Sequence, residues 1–194
     1  MFKFLLFTTV LFSLTMHTAF AQNKQLIAAT QNFENNCVRA TPTATLIKDK
    51  VQQHSFHLEI TDGDLPILMG LESAQLEKNQ SIRLKNSGCE YYTFDIQLAL
   101  NAEKIERNHQ LCQDCLIIEL KNLAQYFQIE DREFYLEGIK TLEQQFKKNK
   151  SFKVGSTYQL DDSEEIPQIF LFNKIKKQSN GQYWIEFTNS VGPL

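Results

Sequence analysis

The spacing of apolar residues changes twice along this chain, and few architectures accommodate both changes. Phe56, Leu58 and Ile60 alternate with His57 and Glu59, which describes a half-buried strand stopped by the turn residues Asp62-Gly63. Ile82 and Leu84 alternate with Arg83 and Lys85. After a turn at Asn86-Ser87-Gly88, Tyr92, Phe94, Ile96, Leu98 and Leu100 alternate with Thr93, Asp95, Gln97 and Ala99. That run predicts an amphipathic strand with one face on the core, antiparallel to the strand before it.

From Asn108 to Lys150 the period becomes helical. Leu111, Cys115, Ile118 and Leu123 form the apolar face of one expected helix, reaching about Tyr126. Asp131 is the expected N-cap of a second, with Phe134, Ile139, Leu142 and Phe146 as its stripe and Lys147, Lys148 and Lys150 at its C-terminal end. Strands then return. Gln168 to Lys176 is rich in β-formers, and Tyr183, Ile185 and Phe187 alternate with Trp184 and Glu186. Asn180-Gly181 between them predicts a type I′ hairpin turn, whose central residues both need positive φ. Ahead of all this, Leu26, Ala29, Thr30, Phe33 and Cys37 mark one face of a helix from Lys24 to Val38, ended near Thr41-Pro42. The expected fold is therefore α+β: an antiparallel sheet with an N-terminal helix and an antiparallel helical pair packed on one face or end.

Residues 1–21 read as a secretory signal peptide. Lys3 supplies the positive region, Phe4 to Phe12 an apolar core, and Ala19-Phe20-Ala21 a small-x-small cleavage site. Residues 22–194 are then one disulfide-stabilised α+β domain, periplasmic or secreted. No repeat, low-complexity run or Pro/Gly-rich linker divides them. The chain's net charge of -3 becomes about -4 once Lys3 is lost. Such a domain is a poor match to nucleic acid, whose binding needs Lys and Arg against phosphates. No later segment is apolar for long enough to insert in a membrane after cleavage.

All four cysteines, Cys37, Cys89, Cys112 and Cys115, follow the cleavage site. An even count in an oxidising compartment favours two disulfides. Of the three pairings, Cys37–Cys89 as a long-range bridge and Cys112–Cys115 as a local one is the preferred assignment. The CxxC Cys112-Gln113-Asp114-Cys115 also admits a redox reading, because a helix N-terminus lowers a thiol pKa. Its polar flank, Asn108-His109-Gln110, and the lack of a βαβ pattern favour a structural bridge. His109, Cys112 and Cys115 could supply three zinc ligands. A fourth ligand could come from His54 or His57, whose odd spacing puts them on opposite faces of a strand, where they would not converge. No metal and no cofactor is expected.

GxSxG, HExxH and SxxK are all missing from the sequence, which leaves nucleophilic and zinc-hydrolase chemistry without a signature. The acidic run Asp161, Asp162, Ser163, Glu164 and Glu165 lacks the spacing of a calcium loop and reads as a solvated loop or a patch that steers a basic partner. Asp62-Gly63-Asp64 reads as an acidic turn. Tyr91, Tyr92, Phe94 and Trp184 are of the types enriched at binding hot spots, and equally in sheet cores. If Trp184 and Glu186 share the outer face of their hairpin, that face is the first candidate contact surface. The sequence thus points to an exported cell-envelope binding protein without catalytic activity, an inhibitor or neutraliser of an exported protein with a basic surface. The partner-binding candidates are Asp161, Asp162, Glu164, Glu165, Trp184 and Glu186. The alternatives are a thiol–disulfide oxidoreductase using Cys112 and Cys115, and a small-molecule or lipid carrier with an apolar pocket between sheet and helical pair.

Overall fold

A computed structural model describes residues 24–61, 67–77, 79–149, 153–159 and 168–193. The signal-peptide segment, the Asp62-Gly63-Asp64 turn and the run Asp161 to Glu165 lie outside the described residues.

The architecture is α+β, as the two changes of period require. Helix α1 spans residues 24–36. Four strands then run as a meander: β1 (Gln52–Ile60), β2 (Leu68–Glu77), β3 (Gln80–Ser87) and β4 (Tyr92–Asn101). A short helix α2 (Ala102–Ile105), a small hairpin of β5 (Glu106–Arg107) and β6 (Gln110–Leu111), and helices α3 (Gln113–Leu123) and α4 (Ile129–Asn149) follow. The chain closes with β7 (Thr157–Gln159), β8 (Gln168–Lys177) and β9 (Gln182–Val191). The main sheet has the order β1-β2-β3-β4-β9-β8-β7, and each of its pairs is antiparallel.

One face of this sheet forms the core with the helices. Ile82, Leu84, Phe94, Ile96, Leu98, Phe170, Phe172, Ile185 and Phe187 pack against Leu116, Leu120, Phe127, Tyr135, Ile139 and Leu142. Phe127 stacks on Tyr135 at 4.4 Å and Phe170 on Phe187 at 5.0 Å, so aromatic rings fill the layer between sheet and helices. At the β1–β3 end the inner face is covered by the segment after α1. Buried Glu72 accepts the backbone N–H groups of Thr45 and Leu46 and bonds His54 Nε2 at 2.5 Å. Gly70 lets the Phe56 ring and Pro42 close over β2, for a Cβ there would stand 2.9 Å from the ring. The disulfide Cys37–Cys89 ties the end of α1 to the turn between β3 and β4.

Several local expectations change. The first helix of the pair begins only at Gln113, because Asn108 and His109 adopt positive φ and close the β5–β6 hairpin. Its core stripe is Leu116, Leu120 and Leu123, whereas Ile118 is 56% exposed. Asp131 is not an N-cap. The helix starts two residues earlier at Ile129, and Asp131 lies in its first turn, where the dipole still favours a carboxylate. Asn180-Gly181 does form a hairpin, but only Gly181 has positive φ. The Gly181 N–H bonds the Gln178 carbonyl, so a three-residue loop with a left-handed glycine replaces the type I′ turn. Strands β2, β5, β6 and β7 have no counterpart in the sequence reading.

Candidate functional site

Strand alternation gives the sheet a second, more open face, whose residues are half-buried or exposed apart from Met69 and Ala99. Cross-strand register sorts that face into rows. One runs Gln75, Ser81, Ala99, Trp184, Lys176 from β2 to β8. The next runs Ser55, Ser73, Arg83, Gln97, Glu186, Lys174. A third holds His57, Leu71, Lys85, Asp95, Thr188 and Leu171. Two grooves indent these rows, of about 820 Å³ and 600 Å³. Ser73 and Arg83 line both.

The relief of the larger groove comes from side-chain size. Ser81 and Ala99 leave a low floor on the row that leads to Trp184, Ser73 lies on the other side of Arg83, and Gln75, Asn101 and Gln182 stand around them. This places amides and hydroxyls, both donors and acceptors, around one aromatic ring and one guanidinium.

Charge on the face is partitioned. Glu186 accepts the Trp184 indole N–H at 2.5 Å and pairs with Lys174 at 3.0 Å. The indole hydrogen bond, with Lys174 behind it, holds the Glu186 carboxyl below the ordinary glutamate range. Asp95 accepts from Thr188 and pairs with Lys85 at 3.4 Å, and Glu59 sits 3.0 Å from His57. Arg83, by contrast, is exposed and has no hydrogen-bond or ion-pair partner among the described residues. On this face Arg83, Lys85, Lys174 and Lys176 exceed Asp95, Glu186 and Glu59 by one charge, on a chain whose net charge is negative.

Of the residues singled out from sequence, Trp184 and Glu186 share the open face and touch each other. Arg83, Gln97 and Ser73 were not singled out as site residues. Their outward parity was readable, but their juxtaposition depends on register between strands. The cysteines pair as preferred: Cys37 with Cys89 and Cys112 with Cys115. Cys112 is the N-cap of α3, its sulfur accepting the Cys115 N–H at 3.1 Å. With those sulfurs bonded to each other, His109 keeps no thiolate neighbours for zinc. His54 and His57 point to opposite faces and bond Glu72 and Glu59. Among the described residues no group of three or more His, Cys, Asp or Glu is arranged to hold a metal.

A second polar cluster lies under the inner face. The Tyr92 hydroxyl donates to Asp131, and the Arg39 guanidinium stacks 4.2 Å over the Tyr92 ring while donating to Asn86 and the Ser87 carbonyl. Burial raises the Tyr92 and Asp131 pKa values and lowers that of Arg39. Each of these groups has its partners inside the cluster, and it ties the segment after α1 to β4 and α4. Its role is structural.

The chain matches no family model, no curated protein and no solved structure. No helix among the described residues is long and apolar enough to cross a membrane.

Proposed function

We propose that this is a non-catalytic binding protein of the periplasm or extracellular space that holds its ligand on the open face of the sheet. The carrying observation is the groove between Arg83 and Trp184, built from small floor residues and lined by amides and hydroxyls. Two disulfides support a compartment outside the reducing cytosol. The layer that a lipid carrier would need open is occupied by Phe94, Phe127, Tyr135 and Phe187, which favours the open face over the interior. The surplus of cations there also favours an anionic ligand over the basic partner expected from Asp161 to Glu165.

Trp184 is the only tryptophan in the chain, so its emission reports on the groove. The test titrates the protein with soluble polysaccharide and peptide fractions of its host's envelope, beside a Ser81→Tyr variant that fills the groove floor. Saturable binding that shifts Trp184 emission and is lost in Ser81→Tyr supports the reading. Equal binding by a folded Ser81→Tyr protein, or none by the wild type, overturns it.

Thiol–disulfide exchange is a second reading, carried by the position of Cys112 as the N-cap of α3. Helix N-termini lower thiol pKa values. Mild reduction should then leave a Cys112 thiol that alkylates rapidly near neutral pH. Alkylation only above about pH 8, the range of an unperturbed thiol, ends this reading.

A further inference from the structure

We infer that the ligand of the open face is an acidic oligosaccharide, with Arg83 as the anchor for its carboxylate and Trp184 as the platform for a neighbouring ring. The inference rests on the binding reading above and gives it a chemical class. Three features lead to it.

The first is charge. Asp95, Glu186 and Glu59 each have a cationic or histidine neighbour on this face, whereas Arg83 has none among the described residues. A guanidinium presents donors in a planar fork that matches a carboxylate. Its two flanking positions, Ser73 and Gln97, can add neutral hydrogen bonds but no competing charge.

The second is the kind of polar group. Backbone N–H and C=O groups within the sheet are already paired strand to strand, so recognition on the face falls to side chains. A peptide that binds by strand addition needs a free edge strand, and this groove lies over the inner strands β2, β3, β4 and β9, reaching the β2–β3 and β8–β9 turns at their ends. Amides and hydroxyls in that position suit a ligand whose own polar groups are many, neutral and radially disposed. A sugar has that character.

The third is spacing. Arg83 and Trp184 are two strands and two residues apart, on the order of 12 Å between Cα atoms from strand geometry. Ala99 and Gln97 of β4 lie between them, and low Ser81 adjoins Ala99 on β3. That distance separates the anchor from the platform by more than one ring, so a chain is favoured over a single sugar. The indole N–H is already used by Glu186, which leaves the ring itself, rather than its donor, to meet the ligand. Glu186 and Lys174 hold that ring in place.

The experiment measures binding of a tetrameric oligogalacturonate and of its methyl-esterified, neutral counterpart by calorimetry and Trp184 emission. The variants are Arg83→Gln, Arg83→Lys and Ser81→Tyr. The expected result is saturable binding of the acid form that weakens with salt, falls at least about tenfold in Arg83→Gln and recovers partly in Arg83→Lys. The ester should bind wild type and Arg83→Gln alike and weakly, and Ser81→Tyr should lose both. Equal affinity for acid and ester, or an Arg83→Gln protein that binds the acid as well as wild type, overturns the acidic assignment. In that case loss of binding in Ser81→Tyr still upholds the face as the site. No binding of either sugar also overturns this inference, and the envelope-fraction titration decides the broader reading separately.

Discussion

Gly138→Ala should destabilise this protein, although in an ordinary helix the change is favourable. Gly138 lies within α4, where alanine is worth about 1 kcal/mol more than glycine by intrinsic propensity. Here α4 crosses β9 so closely that a Cβ on residue 138 would stand 2.5 Å from Asn189 Oδ1 and 2.7 Å from its Nδ2. Asn189 is 1% exposed, and its amide is pinned at both ends. Its Nδ2 donates to the Phe134 carbonyl at 3.0 Å, and its Oδ1 accepts from Gln168 Nε2 at 3.1 Å. Moving that amide strands two bonds in a site without solvent, at about 1–3 kcal/mol each. After the propensity gain, a net loss of about 1–5 kcal/mol remains. Urea unfolding followed by circular dichroism and Trp184 emission measures it. The mechanism also requires coupling: in an Asn189→Ala background, Gly138→Ala should become neutral or stabilising. A stabilised single variant, or additive effects in the double-mutant cycle, would refute the close-approach argument.

The two disulfides should differ in energetic weight. Replacing Cys37 and Cys89 by serine releases a loop with a sequence separation of 52 and should cost about 4 kcal/mol on the chain-entropy model; replacing Cys112 and Cys115, three apart, should cost under about 2 kcal/mol. Denaturation midpoints of the two double variants check the order, and equal losses would contradict it. Glu186 should titrate below the ordinary glutamate range, since its bonds to Trp184 and Lys174 favour the carboxylate. A group with a depressed folded pKa contributes stability above its unfolded pKa and loses it as pH falls through the folded one. Trp184 emission should therefore change with a midpoint below that of an unperturbed glutamate, and this step should vanish in Glu186→Gln.

How much of this was readable in advance depended on where each residue's partner lies. Strands β4 and β9 alternate cleanly because their inner positions from Phe94 to Leu100 and from Tyr183 to Phe187 are apolar or aromatic, so parity alone placed Trp184 and Glu186 on one face. Strand β2 escaped because its inner positions include Glu72 and Gly70. The first receives the N–H groups of Thr45 and Leu46, and the second makes room for Phe56 and Pro42. Those partners are distant in sequence, and without them both residues look like breaks in a pattern. Helix α3 was misphased because the hairpin at Asn108-His109 consumes residues that appeared to continue its period. Nothing local separates a left-handed Asn-His pair from the start of a helix. The groove was hidden for the same reason as β2. Arg83 is outward by parity, yet its row with Ser73, Gln97 and Glu186 exists only after three strand pairings are set.

The open face also allows folding and binding to be separated at one residue. On a face whose only purpose is contact with water, each charge is either dispersed or paired, and an arginine without a partner does as well as a glutamine. Arg83 is exposed and unbonded among the described residues, with Lys85 two positions along the same strand. Arg83→Gln should therefore change stability by no more than about 0.5 kcal/mol, the range of surface substitutions away from special features. Relief of the like charge should push it, if anywhere, towards greater stability. A loss above about 1 kcal/mol, near the worth of one net hydrogen bond, would mean that Arg83 already has a structural partner and is not held free for a ligand. Stability unchanged together with binding of the acidic sugar lost is the pairing that a dedicated site requires.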